Sequence, residues 1–151
     1  MCALAMIKIK DDLLFSTSHS DMDLDMIYGF IKESYWGQGR TFEEQKKAIE
    51  NTLNFGLFHN EKQIAFARVM TDKVFFAYLL DVFVTEEERG KGYSKILVNE
   101  ILNVPELKNV HKWMLATKDA HTLYEKFGFE LVKRPNMLME KMNDTAKKIY
   151  T

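Results

Sequence analysis

Arg89-Gly90-Lys91-Gly92-Tyr93-Ser94 stands between a run rich in strand-forming residues, Tyr78-Leu79-Leu80-Asp81-Val82-Phe83-Val84, and a stretch in which Tyr93, Ile96, Leu97 and Ile101 fall at helical spacing ahead of Pro105. The order is strand, glycine loop, helix. Two glycines let the backbone approach an anion with its N–H groups turned inward, and a following helix adds the partial positive charge of its N-terminus. Short Gly-x-Gly runs also serve as plain strand-to-helix turns, so the loop by itself leaves both readings open. A Walker phosphate loop is excluded, because no Gly-Lys-Ser/Thr follows a glycine after four residues, and a dinucleotide fingerprint would need a third glycine.

At 151 residues the chain is expected to form one domain, residues 1–151, burying roughly two thirds of its unfolded surface, with residues 1–5 expected to be disordered. Met6 offers an alternative start. With 21 basic against 22 acidic residues there is no basic field of the kind that nucleic acid or an anionic membrane requires, so neither is expected as a partner. Cys2, the single cysteine, cannot close an internal disulfide and reads as an incidental thiol. The apolar opening is too short for a signal peptide and lacks a basic start; together these predict a cytoplasmic protein. His19, His59, His111 and His121 show no ligand spacing, and no metal is expected.

Residues 7–9 are expected to form a first strand. Ser20-Asp21-Met22-Asp23 resembles a capping box, and Met26, Ile27, Phe30 and Ile31 then make one helical stripe ending near Ser34. Residues 35–40 break the pattern. Thr41 with Glu44 is a clearer capping box, opening a second helix with Ala48, Ile49, Thr52 and Leu53 on its buried face. Two helices are therefore expected ahead of the sheet. Strands follow over residues 55–59, 63–71 and 74–84, parted by turn residues at Asn60-Glu61 and Asp72-Lys73, which reads as an antiparallel meander. Beyond the loop and its helix, the pattern predicts a strand over 112–116, a short helix over 119–127, and strands over 129–132 and 136–141.

The loop resembles the acetyl-CoA signature of the GCN5-related N-acetyltransferases, Gln/Arg-x-x-Gly-x-Gly/Ala, with Arg89, Gly92 and Ser94 at its three named places. Leu123-Tyr124-Glu125-Lys126-Phe127-Gly128-Phe129 resembles the tail motif of the same family. The likeness runs from about Ser20 to Met142, and Ser34-Tyr35-Trp36 together with residues 78–84 and 115–121 is similar to a little-characterised bacterial-type branch. The resemblance implies the α/β (α+β) acyl-CoA N-acyltransferase fold, a mixed, mostly antiparallel twisted sheet flanked by helices and splayed between the strands at 74–84 and 112–116. It implies acetyl-CoA as co-substrate and acetyl transfer to a primary amine on a small molecule or peptide. Attack would be direct, in a ternary complex without an acyl-enzyme, by a monomer or homodimer.

The same resemblance assigns roles. Coenzyme contacts fall to the backbone of Val82, Phe83 and Val84, to Arg89, Gly90, Lys91, Gly92, Tyr93 and Ser94, and to Thr117, which stands where the family often has asparagine. Thr117 or Asp119 would also serve as a helix cap. Tyr124 would protonate the leaving thiolate, or else pack as an aromatic between helix and sheet. The loop carrying Tyr35, Trp36 and Arg40, with Arg68, would face the acceptor; the two aromatics would equally close the core edge.

Two features resist the pattern. The family's glutamate base is replaced by Tyr78. Asp81 is the nearest substitute, and burial in an apolar strand would raise its pKa toward a useful range; alternation nonetheless puts it on the face opposite Tyr78, Val82 and Val84. An aspartate anchoring a neighbouring element, or proton loss through ordered water, would fit as well. Glu86-Glu87-Glu88 beside an anion site requires Arg89 and Lys91 to offset repulsion. The reading from another class is a non-catalytic acyl-CoA-binding sensor or interaction module; use of a longer acyl-CoA is a third.

Overall fold

β1 (Met6–Lys10) and β2 (Leu13–Ser16) open a six-stranded sheet in the computed structural model, which describes residues 6–150. Residues 1–5, with Cys2 and the start of the chain, lie outside the described residues. β3 (Leu53–His59), β4 (Lys62–Thr71) and β5 (Phe76–Val84) continue the sheet, and β6 (Lys112–Leu115) ends it. The strand order is β1-β2-β3-β4-β5-β6. Every neighbouring pair is antiparallel except β5 with β6, which run parallel. The mixed, mostly antiparallel sheet expected from the sequence is therefore present.

Local chemistry sets the turns. Asn60 and Glu61 both take positive φ, 52° and 67°, between the paired residues His59 and Lys62. A two-residue loop of this kind matches the right-handed twist of its flanking strands. At the next turn the Asp72 Oδ1 accepts the backbone N–H groups of Val74, Phe75 and Phe76. These bonds hold its carboxyl below the usual range, and β5 begins at Phe76, two residues later than expected.

The helices α1 (Leu24–Ile31) and α2 (Phe42–Glu50) cover one face. Asp23, rather than Ser20, caps α1 by accepting the Met26 N–H. The capping box at α2 forms in full, Glu44 N–H to Thr41 Oγ1 at 3.1 Å and Thr41 N–H to Glu44 Oε1 at 2.8 Å. Met22, Ile27, Ile31 and Ile49 pack there on Phe66 and Phe83. On the other face α3 (Tyr93–Leu102) lays Leu97, Val98 and Ile101 against a floor that includes Ala65, Ala67, Val69, Ala77 and Leu79. The alanines leave room for the helix, and each buried Leu or Ile stabilises by about 1.5–3 kcal/mol. No helix among the described residues is long and apolar enough to cross a membrane.

Four expectations are corrected. β2 was not anticipated, and with β1 it belongs to the sheet, so the two helices do not precede it. Leu53 opens β3 instead of closing the second helix. Residues 129–132 and 136–141 form no strands; the chain there is irregular apart from a 3₁₀ turn at Pro135–Met137. Strand propensity expresses fit to a half-buried pleated surface, and these residues find none, leaving Leu131 78% and Met139 97% exposed. In their place the chain ends in α5 (Asp144–Tyr150), which starts where Asn143 Oδ1 accepts the Ala146 N–H at 2.8 Å.

Candidate active site

β5 has a neighbour on both sides only as far as Leu79, which pairs with Leu115 of β6; toward β4 its ladder runs on to Val84 opposite Ala65. Among the described residues, 80–84 therefore present one backbone edge with no strand beside it. Within this stretch the register slips. Phe66 faces Phe83 and Arg68 faces Leu80, so Asp81 and Val82 together oppose Ala67. Asp81 sits at φ 55°, a left-handed value uncommon for a residue with a Cβ.

This bulge corrects the alternation argument for Tyr78 alone: Asp81 lies opposite Val82 and Val84 as expected, but shares the face to which alternation from Ala77 and Leu79 assigns Tyr78. The extra residue turns Asp81 toward Arg68, α2 and Phe83's face, while Val82 and Val84 pack with the α3 cluster. The Asp81 side chain is 1% exposed. Arg68 Nε donates to its Oδ2 at 2.6 Å and Arg40 Nη1 to both oxygens at 3.0 Å. Trp36 Nε1 donates to Oδ1 and Gln45 Nε2 to Oδ2, each at 3.1 Å. Burial pushes the carboxyl up, but Arg68, Arg40 and the Gln45 hydrogen bond outweigh it and hold the pKa below the usual carboxylate range. The expected rise is thus reversed. A carboxylate whose lone pairs are taken by four donors is a weak base, and its geometry is that of an anchor.

The anchor holds the loop between α1 and α2. Trp36 contacts Tyr35 edge-to-face, and Tyr35 reaches the segment after β6, where its hydroxyl accepts the Lys118 N–H at 3.3 Å and Lys118 Nζ lies over its ring. Close by is α4 (His121–Glu125), with Tyr124 buried on its inner face and edge-on to Phe129. Burial, with a smaller contribution from Tyr35, raises the Tyr124 phenol to about 12. Gly128, at φ 89°, carries the chain away from the helix. Thr117 Oγ1 accepts the Ala120 N–H at 3.0 Å and so braces the entry to α4.

On the other side of the β5 edge, Gly90 and Gly92 take φ of 78° and 83°, and a Cβ added to either would meet no atom within 4 Å. Open space lies over both. Gly92 is the N-cap of α3 and supplies no side-chain cap, so the first N–H groups of the helix remain available. Arg89 turns back along the strand, its Nε 3.4 Å from the Val84 carbonyl and its guanidinium over Phe30, which stacks on Phe83. Lys91 binds Glu88 at 3.0 Å and Lys62 lies 3.9 Å from Glu87. Lys91 and Lys62, more than Arg89, offset the acidic run.

Sequence reasoning missed Gln45 and α5. Gln45 stands four residues before Ile49 on the buried face of α2, and a polar residue within an apolar stripe was the available signal. α5 docks so closely on the loop that a Cβ at Gly39 would lie 2.8 Å from Ile149. Between α2 and α5 lies a cavity of about 380 Å³ walled by Arg40, Gln45, Arg68, Asn143, Thr145 and Tyr150, among others. Among the described residues no cluster of metal-ligating side chains occurs.

The arrangement can be set beside known proteins. A GNAT-family protein from Xanthomonas campestris pv. campestris superposes with a TM-score of 0.85 at 38% identity, over 89% of this chain and 96% of that one. Glucosamine-6-phosphate N-acetyltransferase from Arabidopsis thaliana shares the fold, with a TM-score of 0.63 at 20% identity over 89% of this chain and 100% of that one. A Gibberella zeae protein named "Putative acetyltransferase FG08082" is 25% identical, with 78% of each chain covered. The model of the acetyltransferase (GNAT) family matches residues 23–129, which take in the aromatic loop, the bulge, the glycine loop and Tyr124, and the chain belongs to that family.

Proposed function

We propose that this member of an acetyltransferase family moves acetyl from acetyl-CoA to a primary amine by direct attack in a ternary complex. The observation that carries the reading is the one-sided edge of β5 at residues 80–84, flanked at one end by an open glycine cradle, with Tyr124 in the same apolar cluster as Val82 and Val84. Acetyl-CoA supplies an activated acetyl group as its thioester. The chain fits it on two counts. An unpaired strand edge offers backbone donors and acceptors to an extended amide-bearing arm, as in strand addition. Two left-handed glycines ahead of a helix N-terminus leave room and N–H groups for a pyrophosphate.

In this scheme Val82, Phe83 and Val84 hold the arm, residues 89–94 hold the phosphates, and Thr117 keeps α4 in place beside them. Tyr124, with its pKa near 12, keeps its proton across the physiological range and has it to give when a thiolate leaves. Asp81 orients the loop that bears Tyr35 and Trp36, and the amine loses its proton through ordered water. The low pKa of Asp81 also supports a second reading, a coenzyme-binding sensor without turnover. Release of free CoA in the presence of an amine panel separates the two.

Titration with desulfo-CoA tests the cradle. Gly92→Glu places a carboxylate in the open space beside the phosphates and should abolish binding. Undiminished affinity in a folded variant would remove the basis of the reading.

A further inference from the structure

We propose that the cavity between α2 and α5 is a subsite for an anionic group, carboxylate or phosphate, carried by the amine acceptor; this deepens the acetyl-transfer reading and rests on it. Arg68 is 7% exposed and lines the cavity. Among the described residues its hydrogen bonds end at Asp81, which takes only the Nε–H. Its Nη groups are not among the buried polar atoms left without a partner, so they meet solvent, and the cavity is where they can. Arg40 likewise gives Nη1 to Asp81 and Gln45. Two guanidiniums thus answer one buried carboxylate, and the inner wall keeps a surplus positive charge.

The other groups fit the same guest. Asn143 and Thr145 add neutral polar side chains to the wall, and the Tyr150 phenol stands close enough to Arg40 to favour its charged form. Glu44, the acid among the lining residues, is exposed and turned to the Thr41 N–H in the α2 capping box. Asp81 fixes both guanidiniums before any ligand arrives, and a planar fork held in place is the geometry that recognises carboxylate or phosphate. About 380 Å³ suits a small group rather than a polymer. The loop that presents Arg40 presents Trp36 on Asp81 and Tyr35 beside α4, so a ligand anchored by its anion could extend its amine toward Tyr124.

The test uses the full chain saturated with desulfo-CoA, so that the glycine cradle is filled, and titrates inorganic phosphate and acetate in separate arms. Saturable binding of one or both is expected, and the stronger arm identifies the group. Ala48 lines the cavity on α2; Ala48→Glu and Ala48→Gln add side chains of equal size that differ in charge. Anion affinity in the Glu variant should fall at least about tenfold below that in the Gln variant. In parallel, initial rates with an alkylamine and its carboxylate- or phosphate-bearing analogue should show a KM about tenfold or more lower for the anionic amine, an advantage lost in Ala48→Glu. Coenzyme binding without anion binding, or equal loss in the Glu and Gln variants, overturns the subsite and leaves the transferase reading standing. Anion binding to a chain that fails to bind desulfo-CoA overturns the acceptor role and the transferase reading together.

Discussion

The two ends of the open β5 edge are built in opposite ways. At the glycine loop the backbone is left bare: two glycines with empty space above them, helix N–H groups without a side-chain cap, and Arg89 folded back onto its own strand. At the bulge one carboxylate is gripped by four side chains drawn from the α1–α2 loop, α2 and β4. The first region offers backbone and room, and tolerates solvent; the second holds charges whose positions would drift if they were not locked. In the proposed scheme coenzyme recognition is generic while acceptor recognition is specific.

The largest effect of this contrast is on stability. Asp81→Asn keeps the shape of the side chain and leaves Arg68 and Arg40 without their counter-charge, so it should cost about 3–5 kcal/mol in denaturant unfolding. A loss under about 1 kcal/mol would mean that the bulge region is no more locked than the loop. Tyr124→Phe comes next: turnover should fall roughly ten- to a thousandfold, with desulfo-CoA affinity and melting temperature little changed. Undiminished turnover, in an assay where chemistry limits the rate, would reduce Tyr124 to packing.

Acid sharpens the comparison further. The Asp81 pKa is depressed in the folded chain, so its contribution is fully present above the ordinary value of 3.8 and is lost as pH falls through the lower native value. The stability gap between the native chain and Asp81→Asn should therefore be constant near neutrality and close only at pH below about 4; a gap that closes near pH 6 would contradict the ion-pair account. The smallest effect belongs to the loop. Gly90→Ala should cost about 1 kcal/mol through its positive φ, since nothing crowds the added methyl. A cost several times larger would show that the loop is as tightly packed as the bulge.

The glycine loop and the α4 motif were legible because their signals are local: a demand for positive φ, helical spacing, and a glycine that ends a helix lie within a few residues. The hub was not. The partners of Asp81 stand 13 to 45 residues away, and the sign of its pKa shift depends on them rather than on burial. The face it occupies depends on its register against Ala67, which no count along β5 alone can supply. Residues 129–132 and 136–141 carry strand-like composition without a pleated neighbour to receive it. α5, with Ala146, Ile149 and Tyr150 as its apolar residues, announces itself too faintly for periodicity to find.

The bulge works as a frameshift in the strand. Upstream of it, odd-numbered residues such as Ala77 and Leu79 point to the α3 face; downstream, Val82 and Val84 do. Regular pairing through this segment at its present length would exchange the environments of Phe83 and Val84, driving an aromatic ring under α3 and withdrawing it from Phe30 and Phe66. Removing Asp81 instead would leave Val82, Phe83 and Val84 on the faces they already occupy and delete only the anchor. The extra residue thus lets one strand change frame and place a buried charge at the spare position.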